Sequence, residues 1–192
     1  MINNNTLDFL TKLNPDRDIR GNSKEWANWM SQLAPNTCAD CADNHGKIFD
    51  ISILNGLAGR PVVRHLFGQC IYVPMRTKPV GTATNQGKNG ADFYLHHYNK
   101  LPDYYINKKD ARKSGWISKK GNLYKVLPGK MIGGDIYDND DLKLPYTPGR
   151  IWCEADINYT SGKRNRQRVV YSNDGLLFVT YDHFQTFYEI IA

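Results

Sequence analysis

Apolar residues in the first half of the chain recur at helical spacing over one short stretch. Four of them have the spacing i, i+3, i+4, i+7: Trp26, Trp29, Met30 and Leu33. Such spacing puts the side chains on one face of a helix, and Ser23 is a suitable N-terminal cap. We therefore predict a helical tendency over 6–33, followed by glycine-punctuated pieces and a strand at 70–73.

The second half of the chain changes from a helical to an alternating pattern. The spacing of Phe93, Tyr94, Tyr98 and Leu101 predicts a helix that stops before Pro102, and a second helix is predicted over 108–114, closed by Gly115. Residues 151–157 alternate as a strand does, with the odd-numbered side chains expected on the inward face. Further strands are predicted at 169–171, 176–179 and 187–191. Helices followed by strands with turn sequences between them indicate an α+β fold with an antiparallel sheet.

A polar segment separates these two patterns. Residues 81–90 read GTATNQGKNG and contain no large apolar side chain. Glycine, threonine and asparagine favour turns and exposed loops. We predict a linker at 81–90 between a small helical N-terminal domain at 1–80 and a second domain at 91–192.

Composition and charge narrow the classes of protein. Of the 192 residues, 41% are hydrophobic and 12% aromatic, which supports a packed core and excludes a disordered, collagen-like or disulfide-dense chain. No apolar run approaches the roughly 20 residues that span a bilayer, so we predict no membrane segment. We also predict no secretory leader, because the first residues lack a charged segment followed by an apolar one. The net charge of +6 favours an anionic partner, either nucleic acid, an acidic protein or a membrane surface.

Three cysteines and a histidine in the first half provide the types of ligand that zinc prefers. Cys38 and Cys41 form a Cys-x-x-Cys pair, and His65 and Cys70 follow later in the chain. Thiolate and imidazole ligands in this number fit a closed, tetrahedral, structural zinc site. A redox pair, a disulfide and simple packing cysteines remain alternatives.

The second half contains a carboxylate, an imidazole and a basic run that suit cleavage of RNA. Cleavage through the 2′-hydroxyl needs a base for that proton and an acid for the leaving 5′-oxygen, which Glu154 and His183 can supply. The run KRNRQR over 163–168 can stabilise charge on the phosphate, and the even spacing of Arg164 and Arg168 predicts one strand face. A solvated strand face and a structural histidine are the alternatives that the spacing leaves open.

The cysteine segments carry a resemblance to a known family. CADCADNHGKIF at 38–49 and HLFGQCIYVP at 65–74 resemble the Cys/His motif of phage minor head proteins, with Gly68 where a second late cysteine would stand. Modules of this kind also precede toxic domains in bacterial toxins. The resemblance implies that residues 1–80 form a zinc-stabilised adaptor.

A second resemblance covers more than half of the chain. Its motifs, in order, are KLPDYYI, SGW, KGNL, PGK, IGGDIY, GRIWCEADINYTSG and TYDHFQTF, between about residues 91 and 190. They resemble the barnase-like (microbial N1/T1) ribonuclease family. The resemblance implies a microbial ribonuclease fold, in which short N-terminal helices pack on a twisted antiparallel sheet.

The resemblance also implies a role for each matched residue. They are the general base Glu154, the general acid His183, the phosphate ligands Arg164 and Arg168, the transition-state contact Lys108, the supporting Asp135, and Asp156, which holds Arg164. The implied reaction is transesterification to a 2′,3′-cyclic phosphate followed by slower hydrolysis. It needs no metal, and it excludes DNA, which lacks the 2′-hydroxyl.

The base-reading segment matches the family less well. Tyr137, Asn139 and Asp141 stand where the family binds guanine, although Asp141 is one methylene shorter than the family's glutamate. Asp140 replaces a cation, and Phe184 lacks the hydroxyl of the family's tyrosine. The resemblance implies guanine preference, with lower turnover than in the family's efficient members.

Partners and setting follow from the same resemblance. We expect a monomeric toxin, secreted or delivered into a target cell's cytoplasm by an unidentified route, that acts on RNA and is restrained by an acidic barstar-like immunity protein. One alternative is a phage-derived structural or nucleic-acid-binding protein without catalysis. The other is a metal-dependent DNA nuclease that uses the Cys/His cluster, although closed zinc sites leave no position for water.

Overall fold

A computed structural model describes residues 26–31, 47–50, 70–146 and 148–192. These residues form two compact units. One contains the described residues of 1–76 and of 139–147, and the other contains 77–138 and 148–192. The division therefore falls at Arg76–Thr77, ahead of the linker that the sequence predicts.

The unit that contains the N-terminal part has a three-stranded antiparallel sheet. Its strands are β1 (Trp26–Ser31), β2 (Ile48–Asp50) and β3 (Cys70–Pro74), with β1 in the centre. The helix predicted across residues 26–31 is wrong, because their backbone pairs with β2 and β3. Tertiary pairing and the strand preference of tryptophan outweigh the helical spacing here. The strand predicted at 70–73 is confirmed as β3.

The second unit is built on a seven-stranded sheet. Its strands are β4 (Thr77–Pro79), β5 (Tyr105–Ile106), β6 (Met131–Tyr137), β7 (Trp152–Asp156), β8 (Arg168–Ser172), β9 (Leu177–Thr180) and β10 (Tyr188–Ile191). Their order is β4-β10-β9-β8-β7-β6-β5. Neighbours from β6 to β10 are antiparallel, whereas the two edge strands β4 and β5 pair in parallel. The α+β prediction is confirmed for this unit.

Three short helices precede most of the sheet. They are α1 (Ala91–Tyr98), α2 (Lys108–Lys113) and α3 (Leu123–Val126), with 3-10 turns at Gly87–Asn89 and Ser118–Lys120. Helix α1 ends at Asn99, which adopts a left-handed conformation with φ 51°. Asn107 caps α2, because its side chain accepts a hydrogen bond of 2.8 Å from the backbone of Asp110. Both predicted helices are therefore present.

The hydrophobic core of this unit has two parts. Helix α1 packs on the sheet through Ala91 and Leu95, which meet the buried sheet residues Ala155, Val169 and Val179. Around α2 and α3 lies a second cluster, consisting of Ala111, Trp116, Leu123, Met131, Ile132 and Tyr159. Full burial of a large aliphatic side chain contributes roughly 1.5–3 kcal/mol, so both clusters contribute to the stability of this unit.

Strand β7 is buried on both faces. Its odd-numbered Ala155 is fully buried, as the alternation predicts, whereas Cys153 is only half-buried and Ile151, just outside the strand, is 51% exposed. The polar face is buried as well, since Glu154 is 8% and Asp156 0% exposed. Two carboxylates inside the protein require cationic partners.

Residues 81–90 are not the exposed linker that their composition predicts. Ala83 and Thr84 are buried, and the backbone of Ala83 and the hydroxyl of Thr84 each donate a 3.0 Å hydrogen bond to the buried carboxylate of Asp92. The segment is therefore packed onto helix α1. Thr84 satisfies an internal carboxylate, whereas Thr82, Asn85, Lys88 and Asn89 face solvent.

Within the described residues, none of the helices has the length and apolar character that crossing a lipid bilayer requires.

Candidate active site

Adjacent strands β7 and β8 bring two carboxylates and an arginine together. Asp156 lies opposite Arg168, and Glu154 lies opposite Val170. Because side chains alternate along a strand, Glu154 and Asp156 point to the same face. That face of the sheet carries the candidate site.

Asp156 is the anchor for both arginines. Arg164 donates from Nε and Nη2 to its two carboxylate oxygens at 2.7 and 2.6 Å, which is a bidentate pair. Arg168 Nε lies 2.9 Å from Asp156 Oδ1, but its N–H has no aligned hydrogen-bond acceptor among the described residues. The sequence correctly predicts the pair of Asp156 with Arg164. It wrongly predicts one strand face for both arginines, because Arg164 lies in the loop before β8.

Burial and charge act differently on the two guanidinium groups. Burial would lower the pKa of Arg164, but its hydrogen bonds and charge contact with Asp156 raise it. Burial chiefly lowers the pKa of Arg168, and the charge of Arg164 lowers it further. Both side chains stay charged, because an arginine does not lose its proton in a protein.

Glu154 lies among three cations. Lys108 Nζ donates to its Oε1 at 2.5 Å, and Arg164 Nη2 and Arg168 Nε lie 3.8 Å from its two oxygens. The side chain is 10% exposed. A carboxylate held in this way is oriented and still reachable, which a base that takes a substrate proton requires.

Asp135 positions Lys108 through the backbone. Its carboxylate accepts from the Lys108 amide at 3.0 and 3.2 Å, at the start of α2, and Asp135 lies opposite Glu154 on the next strand. A β-bulge between Gly133 and Asp135, with Gly134 at φ 86°, turns Asp135 towards the helix. The structure thus brings Asp135, Lys108 and Glu154 together.

His183 lies on a tight turn after β9. It has φ 63°, in the left-handed region that a residue with a side chain rarely adopts, and it is exposed. Asp182 holds the turn by accepting from the Thr180 hydroxyl at 2.9 Å and from the Thr186 amide at 2.9 Å. The amide of His183 donates to the Arg166 carbonyl at 3.0 Å, which ties it to the arginine loop.

A cleft of about 700 Å³ lies between the arginine loop and the histidine turn. Its lining is formed by two loops and the histidine turn: Ser118, Lys119, Lys163, Arg164, Asn165, Arg166, Arg168, Asp182, His183 and Gln185. Arg164 and Arg168 also contact Glu154, which is not itself part of this lining. The cleft therefore combines an imidazole with several cations, two of which contact Glu154.

Aromatic residues lie beside the histidine turn. The rings of Tyr137 and Phe184 are stacked, with centroids 4.7 Å apart and an angle of 23°, and His183 lies 4.9 Å from Phe184. Flat aromatic faces of this kind can stack on a nucleobase.

The segment after β6 has its own internal bonds. Asn139 is buried, and its side chain both donates to and accepts from the backbone of Leu144, at 3.0 and 2.9 Å. Asp141 lies 3.4 Å from the ammonium of Lys143. The amide of Asn139 therefore shapes its own loop, and the carboxylate of Asp141 is exposed.

The predicted zinc ligands remain a prediction. Cys38, Cys41 and His65 lie outside the described residues, and Cys70 lies on β3 without a described side chain. In the part of the chain that the structure describes, no group of three or more His, Cys, Asp or Glu side chains is arranged to hold a metal.

Sequence reasoning missed several residues of the cleft. The sequence patterns do not single out Lys119, and they show Lys163 and Arg166 only as members of a basic run. Asn165 was also missed, although its side chain donates to the Ile157 carbonyl and accepts from the Gln167 amide. The run KRNRQR was the available indication of this loop, because its polar residues form the hydrogen bonds that hold the loop from which its cations project.

Comparisons with known proteins fall on the same part of the chain. A model of the ribonuclease family matches residues 88–191. A ribonuclease of Heyndrickxia coagulans is 52% identical over 102 residues, which cover 53% of this chain and 94% of that protein. Ribonucleases of Bacillus intermedius and Bacillus pumilus have the same identity over 102 residues, but the match spans 63% of their length.

The family match begins at residue 88 of this chain and includes the whole candidate site. It does not extend to 38–74, so the resemblance of that segment to phage proteins stays a prediction. The family model covers more than half of the chain. The arrangement of Glu154, His183 and the arginines suits the cleavage of RNA. The chain therefore belongs to the ribonuclease family, and residues 88–191 match its endoribonuclease model.

Proposed function

We propose that this protein cleaves single-stranded RNA by metal-independent transesterification, with Glu154 as general base and His183 as general acid. The observation that carries the proposal is the position of Glu154. Its carboxylate accepts from Lys108, and the two arginines beside it also line the cleft that His183 borders. A base, an acid and charges for the phosphate are the three elements that this reaction requires.

The proposed first step forms one bond and breaks one. The 2′-oxygen attacks phosphorus while Glu154 takes its proton, and the bond to the 5′-oxygen breaks while His183 protonates that oxygen. Arg164, Arg168 and Lys108 stabilise the negative charge that grows on the phosphate oxygens. In the second step water replaces the 5′-oxygen, the two residues exchange roles, and the 2′,3′-cyclic phosphate opens to a 3′-phosphate.

The separate roles of base and acid can be tested with two leaving groups. A 5′-nucleoside needs a proton to leave, whereas 4-nitrophenolate does not. We expect His183→Ala to lower kcat for a dinucleotide by about 10²–10⁴-fold and for a nucleoside 3′-(4-nitrophenyl phosphate) far less. Glu154→Gln should lower both. Equal losses for His183→Ala on the two substrates would overturn the assignment of the acid.

Guanine preference is a second proposal on the same site. It is supported by the resemblance of 137–141 to the family's base-reading segment and by the aromatic faces of Tyr137 and Phe184. The carboxylate of Asp141 would accept from the guanine ring, one methylene short of the usual reach. We expect cleavage after guanine to exceed cleavage after adenine, and Asp141→Glu to widen that ratio, with Asp140→Glu as the matched control.

We also propose that the protein acts as a delivered toxin, held in check by an acidic barstar-like immunity protein. The cations of the cleft and the exposed His183 are the chemistry that such an inhibitor would cover. Expression of the wild type without an inhibitor should arrest bacterial growth, and Glu154→Ala should relieve the arrest. Growth arrest that persists in Glu154→Ala would contradict a toxic role for RNA cleavage.

A further inference from the structure

One segment of the second unit carries most of the positive charge of the chain. Residues 108–130, which include helices α2 and α3, contain eight lysine and arginine residues and one acidic residue, a net +7, whereas the whole chain has +6. The remainder of the chain is therefore close to neutral. The candidate site and its cleft account for only two of these cations, Lys108 and Lys119.

Four other cations of this segment face solvent. Lys113 pairs with Asp110 at 2.8 Å, and Lys130 donates to the Asp103 carbonyl at 2.7 Å, so these two have partners inside the protein. The four that remain are exposed, lie outside the cleft lining and form no ion pair with another described residue: Lys109, Arg112, Lys120 and Lys125. They are therefore available to an anionic partner away from the catalytic groups.

Two large apolar side chains are exposed in the same segment. Ile117 is 45% exposed and Tyr124 is 54% exposed. Each directly follows a buried residue of the core around α2 and α3, namely Trp116 and Leu123. Because neighbouring side chains leave the backbone in different directions, Ile117 and Tyr124 point away from that core. Exposed apolar side chains beside unpaired cations indicate a surface that binds something.

Asn122 brings the cations and the apolar residues onto one surface. Its side chain accepts from the Ile117 amide at 2.7 Å, and its carbonyl accepts from the Lys125 amide at 3.1 Å. The guanidinium of Arg112 lies 5.9 Å from the centre of the Trp116 ring, which places the end of α2 beside the same turn. We call this surface the basic face, and it consists of Lys109, Arg112, Ile117, Lys120, Tyr124 and Lys125.

The combination of side chains on the basic face suits an anionic bilayer better than a nucleic acid. A nucleic acid offers phosphates to the cations but no apolar medium for the isoleucine. A bilayer that contains anionic lipids offers both, because cations contact the headgroups while apolar side chains enter the boundary with the acyl chains. Tyrosine is enriched at that boundary, where its ring is apolar and its hydroxyl meets water.

We propose that the basic face docks this protein on bilayers that contain anionic phospholipids. Docking of this kind is peripheral, because it requires headgroup contacts and the shallow insertion of two side chains. The inference goes beyond RNA cleavage and uses none of the groups assigned to it. A failure of docking would therefore leave the proposed function intact, and the reverse also holds.

The test measures cosedimentation of the full chain with large unilamellar vesicles. One set of vesicles contains phosphatidylcholine alone, and the other contains about one third phosphatidylglycerol. The basic variant is Arg112→Gln/Lys120→Gln/Lys125→Gln. The control Arg76→Gln/Lys88→Gln/Lys100→Gln also removes one arginine and two lysines, all exposed and outside the basic face and the cleft lining.

A second variant separates the apolar contribution from the charge. Ile117→Ser/Tyr124→Ser keeps every cation of the basic face and removes its two exposed apolar side chains. Thermal unfolding checks that all variants are folded.

We expect the wild type and the control to bind the vesicles with phosphatidylglycerol and not those of phosphatidylcholine alone. Each cation near an anionic surface strengthens binding by about fivefold, so the partition coefficient of the basic variant should fall by about 10²-fold. That of Ile117→Ser/Tyr124→Ser should fall by about tenfold, because less apolar surface enters the bilayer. Its dependence on salt should match that of the wild type, since the cations are unchanged.

Wild-type protein that binds neither set of vesicles, or both equally, would overturn the proposal, as would a basic variant that binds like the control. Vesicle binding that is insensitive to Ile117→Ser/Tyr124→Ser would also contradict it, and if the basic variant then lost binding to a short DNA duplex, the basic face would belong to a nucleic acid.

Discussion

At the scale of single residues, Asp156 holds the cationic side of the site. It is fully buried, receives two hydrogen bonds from Arg164 and lies 2.9 Å from Arg168 Nε. A buried charge that loses its partner is strongly destabilising. Asp156 is therefore the nearest counter-charge of both arginines.

Replacement of Asp156 by asparagine tests that dependence. We expect Asp156→Asn to lower the free energy of unfolding by about 3 kcal/mol, because the buried Arg168 and the half-buried Arg164 lose their nearest counter-charge. Cleavage of RNA should fall as well, since the arginines lose their alignment. Urea unfolding and kcat/KM on a dinucleotide measure the two effects, and a loss below 1 kcal/mol would contradict the account.

Asp182 is a second residue with a measurable signature. Burial would raise its pKa, but hydrogen bonds from Thr186 and Thr180 outweigh that effect and lower it. A lowered carboxyl pKa stabilises the fold above the unfolded-state value near 3.9 and ceases to do so as pH falls through the folded-state pKa. Asp182→Asn should therefore cost about 1 kcal/mol at pH 7 and less at pH 3, after allowance for solvent screening.

Asp174 provides the matched control for Asp182. Its pKa is lowered to about 2, chiefly by the hydrogen bond from Arg150, and it lies outside the cleft lining. Asp174→Asn should show the same trend of stability with pH, measured by urea unfolding, but leave RNA cleavage unchanged. Asp182→Asn should also slow cleavage, because the turn that holds His183 loosens. Equal activity in the two variants would argue against a positioning role for Asp182.

At the scale of elements, the bulge in β6 links the sheet to α2. Gly134 has φ 86°, and a Cβ placed on it would not be crowded by neighbouring atoms. The carboxylate of Asp135, the next residue, accepts from the amide of Lys108. Gly134→Ala should cost about 1–2 kcal/mol through left-handed strain and should reduce kcat by moving Asp135. Gly129→Ala, at φ 75° in open space, should cost as much and leave kcat unchanged. Thermal unfolding and kcat of both variants decide this, and equal kcat values would contradict it.

Elements were predictable where local and long-range preferences agree. Gly115 follows the end of α2 with φ 93°, as the sequence predicts. The stretch around Trp26 was misread because its helical spacing is local, whereas its strand is decided by pairing with residues about 20 and 45 positions away. Arg164 was misplaced for a related reason, since the loop that carries it follows from the side-chain bonds of Asn165 and not from periodicity.

At the scale of the whole molecule, the second unit begins before the segment that composition marks as a linker. Strand β4 pairs with β10, and the amide of Val80 donates to the Ile191 carbonyl at 2.8 Å. Thr84 and Ala83 then satisfy the buried Asp92. Composition could not show this, because the acceptors lie far along the chain or inside α1.

Two fragments test where the unit begins. Fragment 91–192 lacks β4 and leaves Asp92 without its two donors, whereas 77–192 keeps them. We expect 91–192 to be less stable by about 3–5 kcal/mol, measured by urea unfolding, because a buried carboxylate without partners is costly. Equal stability would show that residues 81–90 behave as the linker that the sequence predicts.

The proposed catalytic groups could be predicted from the sequence because they stand in motifs, whereas their arrangement could not. Glu154 and His183 are separated by 29 positions and are connected through Arg164, Arg166 and Arg168. Only the folded sheet shows that Arg164 and Arg168 both contact the carboxylate and line the cleft.

The chemistry at the ends of the RNA products tests the central claim most directly. Wild-type protein digests RNA in the presence of EDTA, and the product ends are identified by mass spectrometry over time. The account predicts 2′,3′-cyclic phosphates first and 3′-phosphates later, with formation at least about 10²-fold slower in Glu154→Ala. Products that end in a 3′-hydroxyl, loss of cleavage in EDTA, or cleavage by Glu154→Ala at the wild-type rate would contradict it.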